Sequence, residues 1–258
     1  MKQPRQAVFI MSDTTRPDFL KCYGNQDMIS PNIDRLAEEG MLFSNAYTTQ
    51  PVCGPARSAI FTGLYPHSNG AWGNSMPIGD NVKTIGQRLS DEGIRCAYIG
   101  KWHLDGGDYF GLGRCPEGWD PDYWYDMKMY LDELEDPERR FWSRQSESAK
   151  DGGVQAEDTF AYRVTERARD FIERYKDEDF LLVVSYDEPH GPSLCPEPFA
   201  SMYEGYDFPV MDNVRDDLSD KPVHQRVWAG RALEEDRTDF SIRWPLLIGS
   251  NSFMDHET

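Results

Sequence analysis

The chain has 258 residues, enough for one large α/β domain with a substantial core when an ordinary domain takes about 150. Hydrophobic residues at 39% and charged residues at 28% exclude collagen-like, low-complexity and wholly disordered chains. With 27 Lys plus Arg against 45 Asp plus Glu, the formal charge of −18 repels polyanions, so no nucleic-acid partner is expected, and no apolar run is long enough to span a bilayer.

Met1-Lys2-Gln3-Pro4-Arg5-Gln6 leads directly into an apolar run, without a long hydrophobic region or a small-residue cleavage site. A cytoplasmic location is therefore expected, or a secreted or periplasmic one where a leader has been removed. Ala7 to Met11 is all apolar, as expected of a strand covered on both faces, and breaks at Ser12-Asp13-Thr14-Thr15-Arg16. Ser30-Pro31 reads as a helix start, with Ile33, Leu36 and Ala37 as its apolar stripe and Gly40 as its stop. Thr84 to Glu92 is helical up to Gly93, and Arg95 to Ile99 is the next strand, ending in Gly100-Lys101-Trp102-His103. The stretch from Gly106 to Glu157 carries Trp119, Tyr123, Trp124, Tyr125 and Trp142 amid dense charge. It reads as an insertion or rim over a site, with an exposed charged helix near Leu131 to Arg140. Asp158 to Tyr175 is a longer amphipathic helix, and Phe180 to Ser185 a strand ending in Tyr186-Asp187-Glu188-Pro189-His190. Tyr206 to Asp236 is polar, acidic and turn-rich, a long surface excursion.

Helices alternating with apolar strands predict a largely parallel sheet with helices on both faces, in a single domain over 1–258 with 106–157 as a rim within it. In such sheets ligands bind beyond the carboxyl ends of the strands. Each of the three strand exits carries groups suited to anion or metal chemistry: Asp13; Lys101 and His103; Asp187 and His190.

Cys53-Gly54-Pro55-Ala56-Arg57, closed by Thr62-Gly63, has proline early in a helix and glycine at its end, which puts Cys53 at or just before a helix N-terminus. Orphan N–H groups there favour an anion, and Arg57 lies one turn along to supply charge. The plainer reading is a buried structural cysteine. Lys101 could likewise be a solvated lysine and His190 a satisfied loop histidine. The other cysteines, at 22, 96, 115 and 195, are dispersed and lack paired metal-ligand spacing, so a structural role is expected of them, without a disulfide framework. His67 follows a Tyr65-Pro66 turn, and Trp72 and Asn74 either line a substrate pocket or pack a rim.

Taken together, Cys53 to Arg57 with Thr62-Gly63, Asp13, Cys22-Tyr23-Gly24-Asn25, Gly100-Lys101-Trp102-His103 and Pro189-His190 resemble the motifs of type I sulfatases, in chain order. That resemblance implies an alkaline-phosphatase-like fold and a sulfuric ester hydrolase in which Cys53 is oxidised to formylglycine by a formylglycine-generating enzyme. It implies a divalent cation, Ca2+ in most relatives, on Asp13, Cys53 and, weakly, Thr14, where many relatives have Asp, Asn or Gln. Cys53, Arg57, Lys101, His103 and His190 would be catalytic; Lys101, His190, Trp72 and Asn74 would contact a carbohydrate or aryl sulfate. Relatives complete the metal site from a later strand ending in an Asp-His/Asn-Gly motif, which has no counterpart here. Asp255-His256 falls instead in the helix that precedes that strand. The chain is thus expected to be the N-terminal half or so of a sulfatase, binding metal weakly and turning over slowly or not at all alone. A phosphodiesterase or phosphonate monoester hydrolase of the same superfamily, and a non-catalytic anion-binding remnant, are the competing readings.

Overall fold

A computed structural model of the chain describes residues 4–107, 109–134, 137, 154–206, 216, 218–223, 225 and 252–256. The three apolar segments form strands because their β-branched and aromatic residues pack well on a pleated surface. These are β1 (Gln6–Met11), β2 (Arg95–Gly100) and β3 (Phe180–Ser185). The helices are α1 (Pro31–Glu39), α2 (Cys53–Thr62), α3 (Pro66–Asn69), α4 (Ile85–Ser90), α5 (Met127–Glu133) and α6 (Phe160–Tyr175). Among the described residues the sheet is parallel, in the order β1-β3-β2. Met11 and Gly100 both pair with Ser185, so the three strands end at one level.

Helices cover both faces, as the alternation predicts. On one face α6, capped by the Thr159 hydroxyl accepting from Tyr162 N at 3.2 Å, buries Ala161, Val164, Ala168 and Phe171 against Ala97, Ile99, Leu182 and Val184. On the other, Phe61 of α2 packs with Cys96, Tyr98, Leu181 and Val183. A capping box between Thr84 and Gln87 starts α4, which satisfies donors that the first turn leaves open. No helix among the described residues is long and apolar enough to cross a membrane.

Four sequence expectations need correction. The Ala7 to Met11 run is not covered on both faces: among the described residues β1 is an edge strand, with Val8 46%, Phe9 40% and Ile10 42% exposed. The apolar stripe of α1 meets the core only in part: Ile33 packs against it, whereas Leu36 is exposed and no residue of that helix is fully buried. Trp119, Tyr123, Trp124 and Tyr125 form no rim; all four are buried in the two cores, where each large ring gains roughly 1.5–3 kcal/mol by leaving water. The charged helix near Leu131 to Arg140 is represented by α5, which stops at Glu133. Residues 135–136 and 138–140, Trp142 and most of Tyr206 to Asp236 lie outside the described residues.

The turn of helix at 252–256 returns to α1. The Asp255 carboxylate accepts from Ile33 N at 2.7 Å and Asn32 N at 3.2 Å, capping α1 in place of the Ser30 side chain.

Candidate active site

Cys53 is the first residue of α2, after an extended Val52, and Pro55 is the third residue of the helix rather than its first. Asn74 Oδ1 accepts from Gly54 N at 2.9 Å, so Asn74 caps this helix. A side chain at position 54 would meet that oxygen, its Cβ only 3.2 Å away, which explains the glycine. Cys53 Sγ donates to Asp13 Oδ1 at 3.6 Å. Burial, reinforced by the Asp13 charge, pushes the thiol above its ordinary value despite Lys101 and Arg57 nearby. Near neutral pH it is a protonated thiol, a poor nucleophile as encoded.

Four charged groups from four segments meet beside it. Lys101, fully buried, places Nζ 2.5 Å from Asp13 Oδ2 and 3.1 Å from Asp187 Oδ1. Arg57 is buried too, its guanidinium donating to Ser185 Oγ and Lys101 O, both at 2.7 Å, and to Asp13 Oδ2 at 3.4 Å. It braces the strand ends as well as facing Asp13. Burial acts to raise Asp13, but Lys101 and Arg57 outweigh it and hold the carboxyl below its ordinary value. The close approach of β2 and β3 depends on Gly100, at φ +124°, where a Cβ would lie 1.9 Å from Ser185 O.

The histidines differ in setting. His103 is buried, with a left-handed φ of 63°, its ring edge-on to Tyr109 at 6.2 Å. His190 Nδ1 donates to Gly191 O at 2.9 Å, which puts the proton of the neutral ring on Nδ1 and leaves Nε2 for proton exchange. Tyr109 joins these groups: its hydroxyl donates to Asp187 Oδ2 and lies 3.4 Å from His190 Nδ1. Thr14 is exposed at φ 65°. Trp72 is 63% exposed, two residues from the capping Asn74. His67 stacks on Tyr65 outside this cluster, and Asp255 serves α1. Glu188 accepts from Ala161 N at 3.1 Å, a cap on α6. All five cysteines are free.

Sequence reasoning missed Tyr109, Ser185 and Tyr98, whose hydroxyl bonds Lys101 O at 2.5 Å. Ser185 carries a weak signal as the polar residue closing an apolar strand. Tyr109 carries none, since its partners lie in other segments.

Two cations face two carboxylates, so the cluster is charge-balanced. Calcium takes six to eight oxygens. Here Asp13 Oδ2 is engaged by Lys101 and Arg57, and the described residues hold no group of three or more His, Cys, Asp or Glu arranged to bind a metal. These residues do not by themselves fit a divalent cation.

The family profile described as Sulfatase matches residues 5–235. The chain belongs to the sulfatase family. It is 41% identical over 262 residues to an uncharacterized sulfatase, YidJ, of Escherichia coli K12, an alignment covering all of this chain and 52% of that protein. It is 35% identical over 133 residues to an N-acetylglucosamine-6-O-sulfatase of Bacteroides thetaiotaomicron, covering 48% of this chain and 24% of that one. The crystal structure of a phosphonate monoester hydrolase of Agrobacterium radiobacter superposes with a TM-score of 0.75 at 19% identity, over 99% of this chain and 57% of that one. That likeness shows the shared alkaline-phosphatase-like fold. This sulfatase chain spans about half the length of its E. coli relative.

Proposed function

We propose that this chain carries the nucleophile and the sulfate-binding groups of a sulfuric ester hydrolase acting on a sulfated sugar or aryl sulfate. The observation that carries the reading is the convergence of Arg57, Lys101, Asp13 and Asp187 on Cys53 at a helix N-terminus. Conversion of Cys53 to formylglycine would supply, as its hydrate, two hydroxyls on one carbon, one to attack sulfur and one to expel sulfate after the alcohol has left. The raised thiol pKa supports this, because an unmodified cysteine here lacks the thiolate a nucleophile needs.

In this reading Lys101 neutralises charge on the sulfuryl oxygens, and Arg57 holds Asp13 and the strand ends in place. His190, acting as the imidazolium with its Nδ1 proton held by Gly191 O, gives its Nε2 proton to the leaving oxygen and is left as the neutral ring. His103 accepts a proton from the hydroxyl at position 53.

A sugar sulfate is supported by the named activity of the Bacteroides relative and by Trp72, an exposed indole two residues from Asn74, which caps the helix bearing Cys53. The buried aromatics of 119–125 lend no support.

The test is the mass and aldehyde reactivity of the Cys53 peptide after co-expression with a formylglycine-generating enzyme, followed by rates on an aryl sulfate and an aryl phosphodiester. The expected result is an aldehyde at position 53 and preference for the sulfate once the chain is paired with the remaining part of its E. coli relative. A thiol that survives intact would overturn the reading. Preference for the phosphodiester would move the chain to the chemistry named for the Agrobacterium structure.

A further inference from the structure

Tyr109 belongs to none of the motifs above and comes from the loop after β2, yet it touches Asp187, Lys101, His103 and His190. Its hydroxyl donates to Asp187 Oδ2, while the other oxygen of that carboxylate holds Lys101 Nζ at 3.1 Å. Its ring presents its face to the same ammonium, 4.2 Å from the centroid, a cation–π contact on a lysine with no solvent exposure. The ring also lies against His190, centroids 5.0 Å apart and tilted by 35°, and meets His103 edge-on. One side chain therefore bounds Lys101, His103 and His190 and ties Asp187 to the group.

The chemistry favours tyrosine here. An ammonium has three donors on a flexible stem, and two carboxylates do not by themselves define where it points. An aromatic face closes a third side without adding charge that would repel a sulfate. The hydroxyl then fixes the carboxylate that Lys101 leans on. We propose that Tyr109 is a positioning residue for sulfate-ester hydrolysis, holding Lys101 through its ring and through Asp187, and holding the His190 ring beside them. This rests on the reading under Proposed function.

The experiment uses the full chain as wild type, Tyr109→Phe and Tyr109→Leu, each shown folded by circular dichroism. In protein labelled at lysine Cε, the Lys101 protons should be shifted upfield by the ring current in wild type and Tyr109→Phe, and not in Tyr109→Leu. In histidine-labelled protein the His190 Nδ1 resonance should move in Tyr109→Phe, which loses only the hydroxyl. Titration with sodium sulfate against sodium chloride at constant ionic strength should give affinities weakened about threefold in Tyr109→Phe and about tenfold in Tyr109→Leu. Partial rescue by phenylalanine separates positioning from general destabilisation. Equal sulfate affinity in all three proteins, with unmoved Lys101 and His190 signals, would overturn the assignment of Tyr109 alone. Wild type that binds no sulfate would instead overturn the functional reading, and this proposal with it. Should Tyr109→Leu fail to fold, the His190 shift and sulfate affinity of Tyr109→Phe decide the matter.

Discussion

Asp13 and Lys101 set the energetics of the site. A lysine with no exposure, held between two carboxylates, has given up its hydration, and removing one partner leaves it half-compensated. Asp13→Asn should therefore cost about 3 kcal/mol near neutral pH, read from urea unfolding. Because Lys101 and Arg57 hold Asp13 below the ordinary 3.8 of aspartate, its stabilising contribution is complete above 3.8 and fades as the pH falls through the lower folded value. The gap between wild type and Asp13→Asn should shrink correspondingly below pH 3.8; a constant gap would show that Asp13 acts only through packing. At Trp72 the expectation is about specificity. Trp72→Ala should weaken binding of glucosamine 6-sulfate by about tenfold, the loss of one stacking contact, while inorganic sulfate binds as before by calorimetry. Equal losses for both ligands would give Trp72 a structural role rather than one in sugar recognition.

Helix ends carry the next level of organisation. Cys53 is aimed by the start of α2, whose Gly54 N–H is met from outside the helix by Asn74. Asn74→Ala should cost about 1 kcal/mol, as the loss of a capping side chain does, seen as a lower thermal midpoint. The same device closes α1 over a far longer loop, Asp255 accepting two N–H groups more than 220 residues away in sequence. Asp255→Ala should cost about 1–2 kcal/mol, and full stability in that variant would mean that the contact is solvated away. These two elements mark a limit of sequence reading. The existence of both helices was legible from proline, glycine and the apolar spacing, but their capping partners were not, because nothing local to Asn74 or Asp255 records which helix end they meet. Asn74 was read as a substrate contact for that reason.

At the scale of the whole molecule, β1 is a poorly protected element among the described residues. Val8, Phe9 and Ile10 stay exposed on a strand that is an edge among the described residues, and an apolar edge is a template for self-association. The 258-residue chain should bind a hydrophobic dye and associate with rising concentration in light scattering, and Ile10→Lys should reduce both. A monodisperse, dye-silent wild type would show that the edge is covered in solution. The strands, the α/β class, the helix bearing Cys53 and the strand-end clustering of Asp13, Lys101 and His190 were determined by the sequence alone, because apolar runs, turn residues and short motifs act within a few neighbouring residues. Only the tertiary structure decided that β3 lies between β1 and β2, that β1 is an exposed edge among the described residues, that the aromatics of 119–125 fill cores, and that Tyr109 and Ser185 join the site. Each of these depends on which distant surfaces exclude water against one another, and a hydroxyl bonding a partner 78 or 128 residues away leaves no periodic trace along the chain.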